Sequence, residues 1–261
     1  MMEKKVIKKH WGKLILEVVL LLIWVGASII ASQFLVGFII VLTMGAEAFD
    51  RPVVTALFTT ISYLIAMFLI IFVPPKIQQL RSKERDSKIK LASREELGLK
   101  GLPTWTDIGL APVGLIVYYL LATGLVFLFQ LFPWFNVNEA QDVGFSPYLV
   151  GPERLIAFIT LVLVAPIAEE IIFRGWLYQM LKNRFSKLTT YVFSAILSAI
   201  LVSLLFGLIH GQWSVGVDVF AMSLVMCGLR EITGTIYAGI LLHMIKNGVA
   251  FYFLYVASMG L

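Results

Sequence analysis

Apolar residues run in long stretches separated by short polar segments, at 14–45, 54–73, 108–132, 155–174, 191–209, 215–229 and 235–255. Most of these stretches reach or approach the roughly 20 residues that a helix needs to cross the hydrocarbon core of a bilayer. The first is longer than one crossing requires, which predicts a long tilted helix or a span with an interfacial extension. Within it, Gly26, Ala27, Ser28, Ala31 and Ser32 permit close helix packing. Pro74-Pro75 predicts the end of the second span, and the fourth is expected to continue as an amphipathic tail to about Lys182. The last stretch is either one helix or two pieces broken near Gly248. The expected fold class is therefore all-α, a polytopic transmembrane helix bundle with seven to eight spans. Residues 1–261 form a single integral membrane domain, in which 76–106 is a basic cytoplasmic loop.

Composition supports this reading. Of 261 residues 59% are hydrophobic and only 14% charged, against about 25% charged in an ordinary soluble domain. Mean hydropathy is +0.90. Such a chain lacks the polar surface of a soluble fold, and bilayer lipids are its natural partner. The net charge of +5 sits in short tracts, so no nucleic-acid partner is expected. The single cysteine, Cys227, excludes an intramolecular disulfide framework and a cysteine-rich metal site; it reads as a small buried hydrophobe. The basic start of the chain resembles the n-region of a signal peptide. The apolar run after it is too long for an h-region and has no clean cleavage pattern, so it reads as a retained first helix.

Lysines and arginines set the expected orientation. They cluster before the first span (Lys4, Lys5, Lys8, Lys9, Lys13), after the second (Lys76, Arg81, Lys83, Arg85, Lys88, Lys90, Arg94, Lys100) and after the fourth (Lys182, Arg184, Lys187). The loops 46–52 and 133–153 are acidic or nearly uncharged. If the first four spans alternate, all the basic tracts share one side. This predicts a multi-pass protein of the cell membrane with a cytoplasmic N-terminus.

The polar groups singled out within the spans are Glu17, Glu169, Glu170, Arg174, His210, His243 and Asn247. A charge at a helix centre costs about 2.5–3.5 kcal/mol even on the lenient insertion scale, so each asks for a partner or a role. Glu170 and Arg174 are four residues apart and share a helix face, where they can pair. Glu169 points elsewhere and needs another partner, a raised pKa or a water-filled cavity. His243 and Asn247 also share a face. A glutamate in an apolar setting can act as base toward water, with a histidine beside it sharing the proton. Other groups can donate hydrogen bonds to a developing oxyanion. No serine or cysteine nucleophile matches these groups, so direct attack by water is preferred. Two histidines and a glutamate are also the ligand set of some catalytic zinc centres, and spacing alone does not choose between the two. Intramembrane glutamates and histidines can also relay protons in a transporter.

These residues resemble the motifs of the CPBP family of intramembrane proteases (Abi, or CAAX protease and bacteriocin processing), which includes the Rce1-like type II CAAX prenyl endopeptidases. The EExxxR motif stands as Glu169-Glu170-Ile171-Ile172-Phe173-Arg174, FxxxH as Phe206-Gly207-Leu208-Ile209-His210, and HxxxN as His243-Met244-Ile245-Lys246-Asn247. Segments 95–99 and 230–237 are also similar, and the likeness covers about 97–248, with 155–248 as the catalytic motif core. The resemblance implies an eight-helix bundle whose site opens toward the cytosol, with no cofactor and no metal. Glu169 and His210 would activate water, His243 and Asn247 would stabilise the oxyanion, and Glu170, Arg174 and Phe206 would support the motif. The expected activity is glutamate-dependent endopeptidase cleavage of a membrane-associated protein or peptide. CAAX-type lipidated proteins and bacteriocin-related peptides are the candidate substrates. The alternative is a non-proteolytic role in bacteriocin immunity or membrane scaffolding.

Overall fold

The computed structural model describes residues 2–81, 91–137, 143–146 and 148–257. Seven helices account for most of them: α1 (Met2–Met44), α2 (Pro52–Arg81), α3 (Trp105–Phe129), α4 (Gly151–Phe185), α5 (Tyr191–Leu208), α6 (Trp213–Thr233) and α7 (Tyr237–Tyr255). A 3-10 turn, Ala46–Asp50, joins α1 to α2. Six of the seven are long and apolar enough to cross a membrane; α6, which carries Asp218, Arg230 and Glu231, is not among them. The chain is thus an all-α polytopic membrane bundle. The described residues of the 133–150 loop form turns and extended chain, and 138–142 and 147 lie outside the described residues. So do Lys83, Arg85, Lys88 and Lys90 of the basic loop.

Pro74-Pro75 does not end the second helix, which runs through both prolines to Arg81. Proline removes an amide donor and crowds the preceding turn, yet its fixed φ is still helical. Here the lost bonds fall near the end of the apolar run, where freed carbonyls can meet water. Pro112 is accommodated inside α3 in the same way. The last helix is continuous across Gly248.

α4 lies at the centre, against α1, α2, α5, α6 and α7, and α3 covers the far side of α6 and α7. The core consists of residues such as Val25, Ile70, Ile172, Leu177, Val202, Met222 and Leu242, all fully or almost fully buried. Large apolar side chains also cover the outside, among them Phe34, Leu120, Phe127 and Phe193. That inverted surface suits a lipid solvent. Two segments of α4, Ile159–Val164 and Ile171–Leu177, open into π-helical turns. The first precedes Pro166, whose missing N–H favours a widened turn. The second follows Glu170 and so re-aims the residues of the first motif.

One end of the bundle is tied by polar contacts. Lys182 on α4 pairs with Glu231 on α6 at 2.6 Å, and Tyr191 on α5 donates to the same carboxylate. The Arg230 guanidinium donates to the Glu96 carbonyl at 2.7 Å, and the Ile236 amide to the Gly98 carbonyl at 3.0 Å. Gly98 has φ +73°, and a Cβ there would sit 1.8 Å from Arg230 Nη1. Asp107 caps α3 through Thr104 and also accepts from Thr235.

α5 and α6 approach through glycine. A Cβ on Gly207 would lie 2.7 Å from the Gly216 carbonyl oxygen, a backbone atom that cannot rotate away. Overpacking of this kind costs about 1–3 kcal/mol. Gly207→Ala is therefore expected to lower the melting temperature in detergent. Gly228→Ala on α6, where a Cβ meets nothing within 4 Å, should leave it unchanged; equal melting of the two would contradict this packing.

Candidate active site

α4 brings in Glu169, Glu170 and Arg174, α5 brings in Phe206, and α7 brings in His243 and Asn247. His210 follows the end of α5, in the turn leading to α6. Glu170 is completely buried, and Arg174 and His243 nearly so. The expected Glu170–Arg174 pair is present at 3.0 Å. Glu170 has a second partner that spacing did not reveal: its Oε1 also lies 3.2 Å from His243 Nδ1. Gly239 on α7 makes room for this carboxylate, since a Cβ there would meet Glu170 Oε2 at 3.1 Å. The guanidinium of Arg174 lies over the Phe206 ring, 4.4 Å from its centroid. Phe206 also meets both histidines edge-on, at 4.9 Å from His210 and 6.1 Å from His243.

Glu169 points away from this cluster, as its place on the helix predicts, into a cavity of about 490 Å³. Two partners meet it there. Tyr63 on α2 donates a hydrogen bond to Oε1, and His243 Nε2 lies 3.6 Å from Oε2. His243 thus stands between the two glutamates, one at each ring nitrogen. His210 and Asn247 line the same cavity. The His210 Nδ1–H donates to the Phe206 carbonyl at 2.7 Å, so its Nε2 is the nitrogen left for a water or substrate. His210 lies just outside the spanning stretch of α5, and burial pushes its pKa below the ordinary histidine value while the Glu169 charge pulls it up. Asn247 spends one amide hydrogen on the Leu161 carbonyl at 2.9 Å, which fixes its side chain and leaves the other hydrogen. All four principal candidates therefore meet at one cavity.

Other groups escaped the sequence reading. Tyr63 lies in the second apolar run, and Gln33 and Thr59 join it in the cavity wall. The adjacent polar pair Ser62-Tyr63 was the available signal. Lys246 also lines the cavity and pairs with Asp218 at 3.4 Å, while Tyr118 donates to Asp218 at 2.6 Å. Both Asp218 and Lys246 are ionisable residues inside helices, and were legible as such. Ser203 is committed to Ser223 at 2.7 Å and Cys227 is buried away from the cavity, so neither offers a nucleophile. Among the described residues no group of three or more His, Cys, Asp and Glu side chains is placed to hold a metal ion.

Residues 151–249 match the family model described as Type II CAAX prenyl endopeptidase Rce1-like. That segment, 151–249, is assigned to the Rce1-like, CAAX-protease (CPBP) family. The matched segment begins with α4 and ends two residues after Asn247, so it contains every family motif. The family segment does not include α1 and α2, which supply Gln33, Thr59 and Tyr63 to the cavity. No curated protein and no solved structure matches the chain.

Removing Glu170 leaves Arg174 buried without its counter-charge and frees the His243 ring. Unpairing a buried ion costs about 3–5 kcal/mol. Glu170→Ala should melt well below the parent protein in detergent. Glu169→Gln keeps an acceptor for Tyr63 and should melt close to it. If Glu169→Gln were the less stable variant, the two glutamates would have exchanged roles.

Proposed function

We propose that the chain is an intramembrane, glutamate-dependent endopeptidase that hydrolyses a peptide bond in a membrane-associated protein or peptide. The observation that carries this reading is the convergence of Glu169, His210, His243 and Asn247 on one cavity within the bundle. A water held between Glu169 and His210 Nε2 gives up a proton to this pair as its oxygen attacks the carbonyl carbon. The carbonyl oxygen takes on negative charge, and that charge is met by His243 and by the free amide hydrogen of Asn247. His243 meets Glu170 at one ring nitrogen and turns the other toward Glu169 and the cavity. Collapse of the tetrahedral species breaks the C–N bond, and the proton taken from water goes to the leaving amine.

Tyr63 positions the base by holding one oxygen of Glu169, so that the other faces His243. Substrate reaches a cavity bounded by apolar side chains such as Ile29, Phe173 and Phe251, which suits a peptide already associated with the bilayer. CAAX-type lipidated peptides and bacteriocin-related peptides are the classes to test. We also read α6 as a seventh crossing. Its C-terminal end meets α4 and α5 through Glu231, and Trp213 at its other end stacks edge-on against Trp134, 5.1 Å away, in the loop after α3.

The test is cleavage of a membrane-associated peptide library by the purified chain in detergent. Loss of a general base costs about 10²–10⁴-fold in rate, so Glu169→Gln and His210→Ala should lose turnover on that scale while remaining folded. Tyr63→Phe should stay folded with a smaller loss of turnover. Unchanged cleavage by Glu169→Gln would remove the mechanism. Full protection of cells against a bacteriocin by the double variant Glu169→Gln, His210→Ala would favour the immunity role instead.

A further inference from the structure

A lysine inside a membrane helix is costly and asks for a partner or a role. Lys246 stands in α7 three residues after His243 and next to Asn247. The two neighbours leave the helix on different flanks. Asn247 donates to the Leu161 carbonyl of α4 at 2.9 Å, and Lys246 reaches Asp218 Oδ2 on α6 at 3.4 Å. Tyr118 on α3 donates to the other oxygen of that carboxylate at 2.6 Å. Three polar side chains thus run from α3 through α6 to α7 and end in a lysine on the cavity wall, beside Glu169, His210, His243 and Asn247. An ion pair of this kind adds little stability over apolar side chains of the same volume. Its position at the cavity is what calls for a role.

The charge of Lys246 is felt at His210. The His210 Nδ1–H is committed to the Phe206 carbonyl, so Nε2 can accept from water only while the ring is uncharged. Burial lowers the His210 pKa, the Glu169 charge raises it, and the Lys246 charge lowers it, with His243 acting in the same direction. The other ionisable groups on the wall are Tyr63 on α2, held by Glu169, and Tyr255 on α7, held by the Phe145 carbonyl. Asp218 stands behind Lys246. Glu170 and Arg174 face His243 and Phe206 from α4.

We propose that Lys246 is a positioning residue whose ammonium, anchored by Asp218 and Tyr118, keeps the His210 ring uncharged beside the Glu169 carboxylate. Glu169 alone would draw a proton onto the imidazole and leave Nε2 unable to accept from water. The ammonium opposes that second positive charge. Asp218 fixes where the ammonium stands; without this anchor it would be free to close on Glu169 and hold the base in an ion pair. The consequence for catalysis rests on the endopeptidase reading, and the charge state of His210 does not.

Diethyl pyrocarbonate attacks the uncharged imidazole and so reads that charge state directly. The full-length protein in detergent is modified across about pH 5 to 9, the range in which histidine titrates, and modification of His210 is followed by peptide mass spectrometry. In Lys246→Met the midpoint should move to higher pH, and in Lys246→Arg it should stay at the parent value. Lys246→Met also leaves the Asp218 charge unpaired. The double variant Lys246→Met, Asp218→Asn removes both charges, and its midpoint should still lie above the parent's. An unmoved midpoint in Lys246→Met or in the double variant would overturn the proposal, as would an arginine variant that behaves like the methionine one. Should Lys246→Met fail to accumulate, Lys246→Gln tests the same loss of charge. A base works only while unprotonated, so activity falls as pH drops through the His210 pKa, and raising that pKa moves the acid limb of kcat/KM to higher pH. A midpoint that moves while the acid limb stays would overturn the positioning role. If no peptide is cleaved at any pH and the midpoint still moves as expected, the endopeptidase reading fails and the control of the His210 charge by Lys246 stands.

Discussion

The site depends on a carboxylate that cannot stand alone. Glu170 has no contact with solvent, and an unpaired charge there would be prohibitive. It is tolerated because Arg174 reaches it from one turn along α4 and His243 from α7. Phe206 on α5 then receives the face of the guanidinium. One buried charge thereby ties three helices together, and Gly239 is the space that lets α7 come near enough. The histidine so anchored presents its other nitrogen to Glu169. The dry cluster and the open cavity are consequently two sides of one imidazole.

This arrangement divides the work between neighbouring glutamates. Adjacent residues on a helix point about 100° apart, so Glu169 faces the cavity while Glu170 faces the core. The π-helical turn after Glu170 alters the regular spacing in this region, and Arg174 still reaches back to its partner. The widened turn before Pro166 sits on the cavity side of the same helix, where Asn247 uses the Leu161 carbonyl. Irregular backbone in a membrane helix is tolerated where protein groups satisfy it, and here a site side chain does so.

The two ends of the bundle differ in the same sense. Salt bridges, a helix cap and backbone hydrogen bonds bind the helices at the basic end. The cavity lies between α1, α2, α4 and α7, away from those ties. α1 and α2 complete it although they lie outside the segment that carries the family likeness.

Much was legible before folding. Apolar run length is a local property, so the spans and their approximate limits could be read along the chain. The pairing of Glu170 with Arg174 follows from helical spacing alone, as does the divergence of Glu169. The ordered motifs marked Glu169, His210, His243 and Asn247, because charges in apolar helices are costly and therefore rare. Tertiary structure decided the rest. Pro74-Pro75 looked like a stop, but whether freed carbonyls find partners depends on what surrounds them. Tyr63 looked like one aromatic among many, because a tyrosine in an apolar helix costs little and its polar neighbour Ser62 is a faint mark. That His243 meets both glutamates, and that Glu169, His210 and Asn247 share one cavity, are relations between helices far apart in sequence. Periodicity places a residue on a face; which face it meets is settled only when the helices pack.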